Sequence, residues 1–205
     1  MERIDCRLMV FAKAPIPGRV KTRLIPVMGE EPASELYEKM VSHCLAEGIK
    51  AGVGPVDLWC APSSDHPFFI HCEEKFQVKL HDQPEGDLGQ RMGYAFSETL
   101  KISTYALLMG GDCPSLTPAD IRAAKAELEK DHDAVIIPAE DGGYVLLGLR
   151  RYAEELFSGI SWGTESVFKQ TRMRLRGLGW QWHELPERWD VDRPEDLRRI
   201  ISMPV

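Results

Sequence analysis

The stretch "TYALLMGGDCPSLTPADI", Thr104 to Ile121, decides the fold. Its first half is a short apolar run that ends on two glycines and an aspartate, which reads as a buried strand. Its second half starts a helix: Thr117 is the N-cap, Pro118 the first helical residue and Asp120 the reciprocal partner of a capping box. Ile121, Ala124 and Leu128 then recur at helical spacing, and "DAVIIPA" (Asp133 to Ala139) supplies the next strand. A strand, a loop, a capped helix and a second strand form the unit of a parallel sheet.

The same alternation extends towards the amino terminus. "RLMVFAK" (Arg7 to Lys13), "VDLWCAP" (Val56 to Pro62) and "QVKLHDQ" (Gln77 to Gln83) read as further strands. Between the first two, Ala33, Leu36, Tyr37, Met40, Val41, Cys44 and Leu45 form one apolar helix face. Towards the carboxyl terminus the pattern loosens into "EDGGY", an apolar "VLLGL", helical stretches around Tyr152 to Phe157 and Thr164 to Arg176, a strand near "WQWHELP" and a closing helix from Pro194. The fold class is α/β: a Rossmann-like, mostly parallel central sheet with helices on both faces. Residues 1–205 are expected to form a single domain, since this length buries one substantial core.

Ligands of such sheets gather beyond the carboxyl ends of the strands, so those loops carry the functional reading. After the first strand, "FAKAPIPGRVKTRL" places Lys13, Arg19, Lys21 and Arg23 around Gly18. The whole chain has 25 basic and 32 acidic residues, a formal net charge of −7. Without the four loop cations the balance is 21 against 32, near −11. Positive charge is therefore local, as a small anion such as a phosphate or diphosphate requires; the other reading is a solvated cationic loop. GxxxxGK[ST] and GxGxxG are both absent, so neither a P-loop hydrolase nor a dinucleotide-binding domain is indicated.

Asp112 ends the fourth strand, where a carboxylate needs a cation, donors or a metal, unless it is only the turn residue before Pro114. In "RWDVDRPEDL", Asp190 and Asp192 share one side of an extended segment; the competing reading makes Asp192 the N-cap of the last helix with Glu195 closing a capping box. A basic loop and carboxylates at two strand ends together suit phosphate chemistry with Mg²⁺ or Mn²⁺, ions that take oxygen ligands. "GDLGQRM" offers Gly89 and Arg91 at a helix start, either as phosphate or base contacts or as a glycine-marked helix entry. "EDGGY" places Asp141, Gly142 and Gly143 on the acceptor side, where an acid orients or deprotonates a hydroxyl, or forms a polar turn. Trp162 is a stacking platform or packing, and Trp180, Trp182 and Trp189 read as packing under the final strand.

Other classes are excluded or set aside. The acidic balance speaks against a nucleic-acid partner, and there is no apolar run long enough for a membrane segment and no cationic leader, which reads as cytoplasmic. Five scattered cysteines without a CxxC pair point to a reducing compartment and away from a zinc site. The six histidines show no ligand spacing. Oligomeric state is left open.

"FAKAPIPGRVKTRL", "GDLGQRM", "GGDCPSLTPADI", "AEDGGYVLLGL", "GISWGTESVF" and "DVDRPEDL" together resemble, in order and over nearly the whole chain, a bacterial nucleotide-diphospho-sugar transferase-like family of arsenosugar-biosynthesis-type glycosyltransferases. "KTRL", "GDCP" and "DVDRPEDL" are more distantly similar to the guanylyltransferases of molybdenum-cofactor and phospholactate metabolism. The resemblance implies a GT-A fold with a nucleotide or nucleotide-sugar substrate, Lys13, Lys21 and Arg23 facing its phosphates, and Asp112 and Asp192 at two metal positions. The family's DxD is reduced here to the single acid of "GGDCP". The resemblance favours glycosyl transfer from a nucleotide-sugar donor; the alternatives are nucleotidyl transfer from an NTP to a phosphorylated acceptor, and a non-catalytic nucleotide sensor. In the catalytic reading Lys21, Asp112 and Asp141 act on the reacting groups, while Lys13, Gly18, Arg19, Arg23, Gly89, Arg91, Gly142, Gly143 and Trp162 bind substrate.

Overall fold

A computed structural model describes residues 4–200. Strand β1 (Ile4–Lys13) is followed by the short α1 (Ile25–Met28), the long α2 (Glu30–Ala51), β2 (Val56–Ala61), α3 (Pro67–Phe76), β3 (Lys79–Asp82), α4 (Leu88–Ile102), β4 (Ser103–Gly110) and α5 (Pro118–Glu129). Then come β5 (Ala134–Pro138), β6 (Tyr144–Leu149), α6 (Val167–Gly177), β7 (Trp182–Glu184), a 3₁₀ turn at Pro194–Asp196 and α7 (Leu197–Ile200).

The seven strands form one sheet in the order β3-β2-β1-β4-β6-β5-β7. β1 pairs in parallel with β2 and β4, β2 with β3, and β5 with β7, whereas β6 runs antiparallel to both β4 and β5. That reversal follows from chain length. Only Ala139 to Gly143 joins β5 to β6, too few residues for the crossover a parallel neighbour needs.

Strand alternation sorts the core into two layers. Leu8, Val10 and Ala12 of β1 pack with Tyr37, Val41 and Leu45 of α2 and Ile121, Ala124 and Leu128 of α5. Met9 and Phe11 face the other way, onto Met92, Ala95 and Phe96 of α4 and Leu175 of α6. The tryptophans expected to pack together are split by the sheet: Trp180 and Trp182 join the α4 layer, and Trp189 packs in the α2 layer. Cys6, Cys44, Cys60, Cys72 and Cys113 are free thiols, all buried in the α2 layer. Burial pushes the thiols of Cys6, Cys72 and Cys113 up to about 12. Among the described residues no helix is long and apolar enough to cross a membrane.

The caps match local chemistry. Thr117 and Asp120 form the expected capping box of α5. α4 is capped by Asp87 with Gln90 as reciprocal partner, so an Asx box, with Gly86 before it at φ 122°, starts this helix. At the last helix the backbone N–H groups of Asp192 and Arg193 donate to Asp196, so neither Asp192 nor Glu195 supplies the cap. Asp192 is left free to turn into the cleft.

Candidate active site

The carboxyl ends of β1 and β4 lie side by side, with Phe11 opposite Gly110, so the loops that follow them meet. In the first loop Lys21 adopts a left-handed backbone (φ 47°), and its side chain, 5% exposed, reaches Asp112 with Nζ 2.8 Å from Oδ2. These two residues are 91 positions apart in sequence. Burial opposes charge on both. The mutual attraction and hydrogen bond outweigh it, holding Asp112 below the ordinary carboxylate range and Lys21 above the usual ammonium value, with Lys13 helping Asp112 and Asp192 and Asp190 helping Lys21. Beneath the pair, the Tyr37 hydroxyl accepts from the Lys13 backbone N–H at 2.9 Å, and Lys21 Nζ sits 5.9 Å from the Tyr37 ring.

The segment carrying Asp190 and Asp192 is stitched onto the Asp112 loop by main-chain contacts. Ser115 Oγ donates to the Trp189 carbonyl at 2.5 Å and accepts from the Trp189 N–H at 3.0 Å. Cys113 Sγ also donates to that carbonyl, at 3.3 Å, and the Val191 N–H donates to the Asp112 carbonyl, also at 3.3 Å. Asp120, besides capping α5, takes a two-pronged bond from Arg188 with Nε at 2.9 Å and Nη2 at 2.5 Å. Ordering Trp189 from both sides places Asp190 beside Asp112. Burial, then the charges of Asp112 and Asp141, raise Asp190 to about 6 against the opposing pull of Lys21. Asp192 pairs with Arg23.

A cavity of about 760 Å³ opens at this junction. Lys13, Arg19, Lys21 and Arg23 line it, with Asp112, Asp141, Asp190 and Asp192, and so do Arg91, Gly143 and Trp162. Gly18, Gly89 and Gly142 do not; Gly18 turns the loop at φ 79°, and the other two serve close packing. A side chain at Gly89 would put Cβ 2.3 Å from Trp162 Nε1, and one at Gly142, which has φ 86°, would put it 2.2 Å from the Glu165 carbonyl oxygen. Asp141 Oδ1 accepts from the Gly143 N–H at 2.9 Å, a tight polar turn at the rim. Trp162 meets Tyr144 edge-on with ring centroids 6.5 Å apart.

The wall also contains Thr22, Tyr37, Gln83 and Tyr144, which sequence reasoning passed over. Gln83 follows β3, so the strand-end rule applied there would have found it. Its amide donates to the carbonyls of Ala12, at 3.3 Å, and Trp59, at 2.9 Å, bracing the cleft floor.

A second cavity of about 450 Å³ shares Arg23, Asp141, Gly163, Thr164, Asp190 and Asp192 with the first and is otherwise acidic, adding Glu140, Glu165, Glu195 and Asp196 against Arg193. The donor set suits a hard divalent ion: Asp112, Asp190 and Asp192 offer carboxylate oxygens, and Asp190, raised first by burial and then by the charges of Asp112 and Asp141, is a carboxylate that a nearby cation would favour in its charged form. Asp112 and Asp192 each already hold a cationic partner, however, and these three aspartates do not form a group whose ligand atoms all lie within 4.8 Å of one another. A metal here would therefore rest on substrate phosphates as well as on the protein.

Comparison with known proteins gives this cleft its context. The chain is 28% identical over 193 residues to the 3-phospho-D-glycerate guanylyltransferase of Phenylobacterium zucineum (strain HLK1), covering 90% of this chain and 85% of that one. A structure assigned as a nucleotide-diphospho-sugar transferase from Desulfovibrio desulfuricans G20 superposes with a TM-score of 0.87 at 29% identity, over 97% of this chain and 88% of that one. Rv0371c of Mycobacterium tuberculosis H37Rv, solved in complex with manganese, shares the fold at a TM-score of 0.56 and 18% identity, over 98% of this chain and all of the other. Fold and cleft thus define a transferase of the nucleotidyl- and nucleotide-sugar-transferase-like class, built on a GT-A-like Rossmann fold. Within that class the chain belongs to the family described as "Uncharacterized protein conserved in bacteria (DUF2064)", whose pattern matches residues 44–164.

Proposed function

We propose that the protein is a nucleotidylyltransferase, which transfers NMP from an NTP to a phosphorylated small acceptor with Mg²⁺ or Mn²⁺. The observation that carries this reading is the convergence of Lys21 on Asp112 inside a cavity also lined by Lys13, Arg19 and Arg23. The guanylyltransferase relative supports nucleotidyl over glycosyl transfer. In the reaction an acceptor phosphate oxygen forms a bond to the α-phosphorus, the bond from that phosphorus to the bridging oxygen breaks, and pyrophosphate leaves with the electron pair.

The chain's own residues act electrostatically. Lys21, fixed in its charged form by Asp112, and the flanking arginines stabilise charge that builds on the leaving pyrophosphate. Because the salt bridge is already formed, no lysine rearrangement is needed as the barrier is crossed. Asp112 and Asp190, with Asp192, would hold the divalent ion, which neutralises the triphosphate when bound. An attacking phosphate oxygen needs no deprotonation, so Asp141 orients the acceptor rather than acting as a base.

Glycosyl transfer from a nucleotide sugar is the second reading, favoured by the Desulfovibrio desulfuricans G20 structure's assignment. There Asp141 at the rim would take the acceptor hydroxyl proton. The leaving group separates the two. Purified protein is incubated with Mn²⁺, each NTP and a phosphorylated acceptor such as 3-phosphoglycerate, and in parallel with nucleotide sugars. Pyrophosphate release that is abolished by a chelator and by Asp112→Asn supports nucleotidyl transfer. Release of nucleoside diphosphate from a nucleotide sugar, with no pyrophosphate from any NTP, overturns it.

A further inference from the structure

A second group of ligand-type side chains lies at the far end of the sheet. Glu127 is in the last turn of α5, His132 in the connection to β5, and His183 in the edge strand β7, opposite Val135. β5 starts beside this group and runs its full length before reaching Ala139 and Asp141 at the cleft. Each of the three residues offers one ligand atom, and these atoms all lie within 4.8 Å of one another; no other group of three His, Cys, Asp or Glu side chains among the described residues does so.

The geometry is directional. Both imidazoles turn Nδ1 towards the same carboxylate oxygen, His132 at 3.4 Å and His183 at 3.7 Å from Glu127 Oε2. Lys130 occupies the other oxygen, with Nζ 2.8 Å from Oε1, and so leaves Oε2 to the histidines. Bonds of about 2.0–2.2 Å from one ion to nitrogen and oxygen ligands in a tetrahedron imply ligand separations of roughly 3.3–3.6 Å. The two histidine-to-carboxylate spacings are close to that edge length.

Helix capping does not explain the set. His132 Nδ1 lies 3.0 Å from the Glu127 carbonyl oxygen, which ends α5 without help from His183. The side chains are 13%, 27% and 42% exposed for Glu127, His132 and His183, so an ion can enter and keep a water as fourth ligand.

We propose that Glu127, His132 and His183 form a binding site for a zinc-class divalent ion, distinct from the oxygen-donor cleft. Two imidazoles and one carboxylate suit zinc and reject magnesium, which requires oxygen ligands. Coordination uses the Nδ1 lone pair, so on binding His132 releases its Nδ1 proton to water and carries its ring N–H on Nε2 instead, giving up the hydrogen bond to the Glu127 carbonyl. The ion fastens β7, a strand of only three residues, to α5 and to the start of β5. The chain leaving β7 leads to Asp190 and Asp192, so the site braces that segment at its origin.

The test uses the full chain, stripped with a chelator and titrated with Zn²⁺ by calorimetry. The expected result is one equivalent bound, with Kd raised at least about tenfold in His183→Ala and in Glu127→Gln, and unchanged in the exposed-histidine control His71→Ala and in the cleft variant Asp190→Asn. Co²⁺ loaded into the wild type should give the intense visible bands of a four-coordinate ion. Failure of the stripped wild type to bind Zn²⁺, or binding that survives both His183→Ala and Glu127→Gln, overturns the proposal. Because the readout is metal uptake, a result against nucleotidyl transfer leaves this proposal intact, and the reverse holds too.

Discussion

Lys21 holds a left-handed backbone in which a residue with a side chain is strained by about 1–3 kcal/mol. The Asp112 ion pair offsets that strain. Lys21→Met should therefore lower NTP affinity at least about tenfold and turnover about 10²–10³-fold, measured by calorimetry and by pyrophosphate release; unchanged affinity would refute the phosphate role. Asp190 carries the opposite cost. With its folded value near 6 and its ordinary value at 3.8, the folded chain binds the proton more tightly than the unfolded chain. Stability is thus present at low pH and lost as pH rises from about 4 through about 6. Asp190→Asn should raise the metal-free stability at pH 7.5 by up to about 3 kcal/mol, a gain that vanishes near pH 4 in denaturant titrations, while turnover collapses. Asp112 and Lys21 were legible as charges because each stands in a loop that follows a strand. Their contact was not, since nothing local encodes a partner 91 residues away.

At the scale of elements, the cleft carboxylates depend on two loops sewn together through Ser115. Ser115→Ala deprives both the N–H and the carbonyl of Trp189 of their Ser115 hydrogen bonds. The expected cost is about 1–3 kcal/mol of stability, with a larger effect on activity than on nucleotide affinity, because Asp190 loses its anchor while Lys21 does not. Equal loss in both measurements would contradict this coupling. Five strands, the α2 face and the α5 cap were readable from periodicity and from Thr117 and Asp120. The direction of β6 was not: "VLLGL" is apolar on both faces, as a buried parallel strand would be, and only the shortness of the Ala139–Gly143 turn reverses it. Ser115 and Gln83 escaped notice because a loop serine or glutamine looks like any turn residue. The Glu127, His132 and His183 group is equally silent, since a helix end, a turn and an edge strand share no sequence spacing.

Over the whole molecule, an acidic chain sets four loop cations, Lys13, Arg19, Lys21 and Arg23, at one mouth with Asp112, Asp141, Asp190 and Asp192 beside them. A triphosphate alone meets carboxylates as well as cations there, so the divalent ion should dominate the response. With Mn²⁺ an NTP at about 100 times its Kd should stabilise the fold by about 2.7 kcal/mol, seen as a rise in Tm. The same nucleotide with chelator should give only a small fraction of that rise, and an equal rise without metal would contradict the arrangement of the aspartates.

The five buried thiols turn the molecule into its own clock. An alkylating reagent reaches a sulfur that is both enclosed and protonated only when the surrounding chain opens, so the rate of modification reports that opening. Cys113, adjacent to Asp112 and donating to the Trp189 carbonyl, times the loosening of the cleft loops, while Cys72 on α3 and Cys6 on β1 time distant parts of the same layer.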